Sequence, residues 1–63
     1  MKIHEEYYTV QIWENDAWQD ESEHIYDLSV CEDVFNDLIN ERPQRKFRIA
    51  QYVTHIRSIK ERL

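Results

Sequence analysis

Thirteen carboxylates, three histidines and one cysteine are the side chains of this 63-residue sequence whose types could do chemistry. Paired carboxylates serve general acid–base steps, and histidines with cysteines or acids serve metal or nucleophilic chemistry. The spacing here favours neither. His4, His24 and His55 stand far apart, with no second ligand at metal-binding spacing. His24 among Glu21, Glu23 and Asp27 could hold a cation weakly at a surface, but the glycine-centred twelve-residue calcium loop is missing. Cys31 falls near a predicted helix start, where a thiolate is stabilised, yet Glu32 and Asp33 beside it act the other way. It also belongs to an apolar stripe, so it reads as a buried structural thiol. The chain contains no glycine, which removes the Gly-rich phosphate loop and the dinucleotide fingerprint. The sequence reads as no enzyme, with no cofactor and no metal.

What remains is charge, and it is segregated. Residues 1–41 carry one lysine against twelve acids, a net −11, while residues 42–63 carry seven bases against one acid, a net +6, for −5 in all. One expectation is that the two halves pack together and screen each other. The other is that charged surfaces survive folding and meet partners. Asp33, Asp37 and Glu41 lie at i, i+4, i+8 of a predicted helix, a column of like charge costing about 0.2–0.5 kcal/mol per neighbouring pair. Asp20, Glu21 and Glu23 form a second acidic group. Acids two apart on a strand repeat at roughly 6.6–6.8 Å on one face, and such rows can imitate nucleic-acid phosphates. Arg45, Lys46, Arg48 and Arg57 interleave with aromatic residues in the basic segment, a combination suited to single-stranded nucleic acid. The acidic remainder of the chain would repel a phosphate backbone.

These groups need elements to position them. A chain of this length reads as one domain, 1–63, burying about 60% of its extended surface on folding. The residues Tyr7-Tyr8-Thr9-Val10-Gln11-Ile12-Trp13 are β-branched or aromatic almost throughout and predict a central strand with large side chains on both faces. Asn15-Asp16 as a two-residue turn would set Trp13 opposite Trp18. The polar return segment, Trp18 to Tyr26, reads as an edge strand or irregular arm. Ser29-Val30-Cys31-Glu32 matches a capping box, so a helix is expected after Ser29. Its apolar face would be Val30, Cys31, Val34, Phe35, Leu38 and Ile39, and Pro43 would end it. The last segment fits two periods. Phe47 and Ile49 alternate with Lys46 and Arg48 as in a strand, while Ile49, Tyr52, Ile56, Ile59 and Leu63 have helical spacing. A strand from about Lys46 to His55 is favoured, with residues after Arg57 turning helical or fraying. The result is an α+β fold, ββαβ, with a three-stranded antiparallel sheet in the order 2-1-3 and one packed helix.

Tyr8-Thr9-Val10-Gln11-Ile12-Trp13, then Trp18, Tyr26-Asp27 before a capped helix, Pro43 and Arg45-Lys46-Phe47-Arg48-Ile49 together resemble small phage-encoded proteins of ββαβ type. The resemblance implies an accessory protein that binds and inhibits a host protein; it carries no functional residue over. The sequence therefore points to an acidic protein-binding module, an inhibitor masking a basic host surface. Its expected contacts are Asp20, Glu21, Glu23, Asp33, Asp37 and Glu41, with Trp13 and Trp18. The alternatives are a nucleic-acid binder using Arg45, Lys46, Arg48 and Arg57, or a subunit that self-associates through its aromatic patch. No apolar run is long enough to span a bilayer and Met1 to Glu6 read as no signal peptide. With one cysteine, a reducing cytoplasm is the expected location.

Overall fold

The computed structural model describes residues 6–53 and 56–62, with side chains for 6–53 and 58–62. The strand-forming run becomes β1 (Tyr7–Glu14), which turns through Asn15 and Asp16 into the short β2 (Ala17–Asp20). Both turn residues are left-handed, with φ of 56° and 62°. That is the geometry a two-residue hairpin turn demands, because its twist matches that of the strands it joins. Asparagine and aspartate tolerate it better than other residues with a Cβ. Trp13 lies opposite Trp18 as expected, the rings meeting edge to face with centroids 5.4 Å apart.

After β2 the chain stays tied to β1 without forming a strand: the Glu21 and Ser22 backbone N–H groups donate to the Val10 carbonyl, the Ser22 hydroxyl accepts from the Val10 N–H, and Ile25 pairs with Tyr8. Glu21 and Glu23 are therefore not on a strand, and the expected strand row of carboxylates does not form. The helix α1 runs from Leu28 to Glu41. Its cap is Asp27 rather than Ser29: the Asp27 carboxylate accepts from the Ser29 backbone N–H at 2.9 Å and from its hydroxyl at 2.7 Å. The earlier start lets Leu28 pack against the core. Val30, which spacing puts on the apolar face, is 48% exposed, because the face that meets the sheet centres on Cys31 and Phe35. Pro43 ends the helix by forcing Arg42 out of helical geometry, to φ −133° and ψ 70°, while the Arg42 N–H still reaches the Leu38 carbonyl at 2.9 Å.

The C-terminal segment forms two strands, β3 (Phe47–Tyr52) and β4 (Ile56–Arg62), in place of one strand and a helical end. The sheet has four antiparallel strands in the order β2-β1-β3-β4. The expected 2-1-3 order holds within it, and β4 adds an outer edge. Ile49 pairs with Lys60 and Ala50 with Ser58, so the register shifts between them and Ile59 is the extra residue of a bulge in β4. This bulge reconciles the two periods: Ile59 and the helical spacing around it belong to an irregular edge strand. The predicted strand end at His55 lies outside the described residues.

One face of the sheet carries Tyr8, Val10, Ile12, Phe47 and Ile49 toward α1. Val10, Ile12, Cys31, Phe35, Phe47 and Ile49 form the buried core, with Tyr8, Ile25, Leu28, Val34, Leu38 and Ile39 packed around it. The other face carries Tyr7, Thr9, Gln11 and Trp13 from β1 and Arg48, Ala50 and Tyr52 from β3, and no described helix covers it. No helix among the described residues is long and apolar enough to cross a membrane.

Candidate functional site

Two surfaces come out of this architecture, one on the outside of α1 and one on the uncovered sheet face. On the helix, Asp33, Asp37 and Glu41 are exposed and succeed one another at about 6 Å of rise. Val30 lies in line with them, one turn before Asp33. With the helix beginning at Leu28, Asp33 sits in the second turn, outside the first turn where the helix dipole favours anions. Glu41 stands at the opposite, electronegative end. No basic side chain lies in the last turn to relieve it.

Internal pairing uses other acids. Arg42 meets Glu21 at 3.0 Å, Arg45 meets Glu14 at 2.8 Å, and Lys60 meets Glu32 at 3.7 Å. Each bridge joins an acid of residues 1–41 to a base of residues 42–63, so the two charged halves do screen one another. The screening stops short of the helix column. No described cation lies within 4.0 Å of Asp33, Asp37 or Glu41. Of the hairpin acids, Glu21 is spent on Arg42, Glu23 is exposed, and Asp20, also exposed, is hydrogen-bonded to Thr9 and Gln11 on the sheet face.

Asp20 organises that face. Its Oδ1 accepts from the Thr9 hydroxyl at 3.0 Å, from Gln11 Nε2 at 2.9 Å and from the Tyr52 hydroxyl at 3.3 Å. Burial, and then the Asp20 charge, hold the Tyr52 phenol above its ordinary pKa, which keeps it a donor to Asp20. Gln11 continues the network by accepting from Arg48 Nε at 2.7 Å. Aromatic groups flank it on both sides. Tyr7 is stacked between His24 at 4.0 Å and Tyr52 at 4.7 Å. At the other end the Arg48 guanidinium lies over the Trp18 ring, 4.4 Å from its centroid, beside Trp13.

The remaining sequence candidates fall elsewhere. His24 stacks on Tyr7 instead of gathering acids, and no group of three or more metal-ligating side chains among the described residues is placed to hold an ion. Cys31 is fully buried, and desolvation, aided by the Glu32 charge, pushes its thiol up to about 11. It stays protonated and unreactive. Arg45 is engaged with Glu14, Lys46 is exposed, and the Arg57 side chain lies outside the described residues. A shallow hollow of about 410 Å³ is lined by Glu41, Arg42, Pro43, Gln44 and Arg45 from one turn of chain. It brings no nucleophile and base together. The Asp20–Gln11–Arg48 network was missed in the sequence reading; its only signal was polar residues at alternate positions of β1 and β3, and reading it needed the strand register.

Comparisons with protein-family models, curated proteins and solved structures give no match for this chain.

Proposed function

We propose that this chain is a non-enzymatic protein-binding module that docks the outer face of α1 on a basic surface of another protein. The observation that carries the reading is a contrast in pairing. Glu14, Glu21 and Glu32 are matched to arginine or lysine, while Asp33, Asp37 and Glu41 repel one another and have no described cation within 4.0 Å. A like-charged column is a standing cost to the helix. A basic partner would remove that cost on binding, and a partner that uses its basic surface to hold nucleic acid would be inhibited.

Direct nucleic-acid binding by the basic segment has less support, since Arg45 is paired and Arg48 is held against Trp18. Retention on immobilised polylysine tests the main reading. The double variant Asp33→Lys/Asp37→Lys should elute at clearly lower salt than Asp16→Lys/Glu23→Lys, which changes net charge equally at other exposed sites. Most of the loss should lie in association rate, because exposed charges steer encounter. Circular dichroism should show both variants folded. Equal elution of the two folded variants would remove the helix face as the docking surface.

A further inference from the structure

We propose that the corner of the uncovered sheet face formed by Arg48, Trp18, Trp13 and Lys46 is a carboxylate-binding site for an acidic segment of a partner protein. This surface lies on the side of the sheet opposite α1, so the inference stands apart from the helix-face reading. Its centre is Arg48. The Nε hydrogen bond to Gln11 at 2.7 Å and the stacking on Trp18 at 4.4 Å fix the guanidinium in place. Those two contacts use one N–H and one face of the group. No described residue accepts from its two terminal nitrogens, and no described acid lies within 4.0 Å, although Glu61 is its cross-strand neighbour on β4. An arginine held this way presents a fork whose spacing matches the two oxygens of a carboxylate. Little side-chain freedom is left to lose on binding.

The surroundings define the ligand further. The Trp13 backbone N–H reaches the Lys46 carbonyl at 3.0 Å, and since Phe47 points into the core, alternation puts Lys46 on the Arg48 side of β3. Lys46 is exposed and carries no described ion pair, and Trp13 is 36% exposed beside it. The corner thus offers two cations and an apolar ring. An acidic residue next to an apolar one satisfies both. A nucleic-acid strand fits less well, because base stacking needs free ring faces. Arg48 covers a face of Trp18, and Tyr7 is enclosed by His24 and Tyr52.

Trp13 and Trp18 are the two tryptophans of the chain, so intrinsic fluorescence reports on this corner directly. The whole protein is titrated with an acetylated peptide alternating Glu or Asp with Leu, with its Gln/Asn counterpart, and with ten-residue oligothymidine. A saturable change in emission with the acidic peptide alone is expected. Arg48→Lys keeps the charge and loses the fork, and Lys46→Gln alters an exposed side chain with no described ion pair. Each should weaken binding several-fold or more, whereas Asp33→Lys/Asp37→Lys on the opposite side should not weaken it. Any of five results would overturn the proposal. These are no saturable change with the acidic peptide at millimolar concentration, an equal response to the amide peptide, and tighter binding of oligothymidine. The fourth is full affinity in the Lys46→Gln variant together with a folded Arg48→Lys variant. The fifth, an emission shift that depends on protein concentration without peptide, would overturn it in favour of a second copy as occupant.

Discussion

The hydroxyl and the backbone N–H of Ser29 both donate to one oxygen of Asp27, and these bonds hold that carboxyl below its ordinary 3.8, the hydroxyl contributing most. A group depressed in the folded state stabilises fully above its unfolded pKa, and the contribution is lost as pH falls through the lower, folded value. Asp27→Ala should therefore lower Tm at pH 7 by about 4–8 °C, the usual worth of a cap in a domain of this size. The gap between wild type and variant should shrink below pH 3.8. Ser29→Ala keeps the N–H bond and loses only the hydroxyl, so its effect should be the smaller one. Thermal melts at pH 7 and pH 3 check both statements, and a gap unchanged at pH 3 would show that the charge has no part in the cap. The cap also shows where sequence reading strays. Ser29 and Glu32 have capping-box spacing, but that spacing is silent about Leu28, whose packing starts the helix two residues sooner.

Among the elements, the first hairpin was the most legible, because a β-branched and aromatic run, a turn-forming pair and two tryptophans all agree on it. Its turn carries residual strain in two left-handed residues with side chains. Asp16→Gly should relieve a fraction of the roughly 1–2 kcal/mol that left-handed geometry costs a residue with a Cβ. Urea titration should show a higher midpoint. A lower one would mean that the Asp16 side chain supports the turn. Across the same hairpin, a double-mutant cycle replacing Trp13 and Trp18 by Ala should give a coupling of about 0.5–1.5 kcal/mol. The fourth strand was illegible for a physical reason. An edge strand with a bulge is not held to strict alternation, and the spacing of Ile56 and Ile59 imitates a helix there. The site was illegible for a related one: Gln11 and Arg48 meet only when β1 and β3 pair in one register, and a shift by one residue would put them on opposite faces of the sheet.

At the scale of the whole molecule, the two charged halves are joined by strand pairing and core burial more than by their charges. The three ion pairs are partly exposed, and each should contribute about 0.2–1 kcal/mol. Neutralising Glu14, Glu21 and Glu32 to Gln together should thus cost less than Phe47→Ala alone, which empties a fully buried position at about 3–5 kcal/mol. Urea unfolding of the two proteins gives the comparison directly. The reverse order would make electrostatic closure the main bond between the halves. The order of strands has a consequence for biosynthesis as well. The inner neighbours β1 and β3 pair Tyr7 with Tyr52 and Ile12 with Phe47, so the earliest strand waits for one of the latest. A two-stranded hairpin alone is marginal in water. The nascent chain therefore has nothing stable to fold until β3 has left the ribosome. Until β3 pairs with β1, Val10, Ile12 and Phe35 have no complete core to enter and stay open to the chaperones and proteases that patrol unfinished chains.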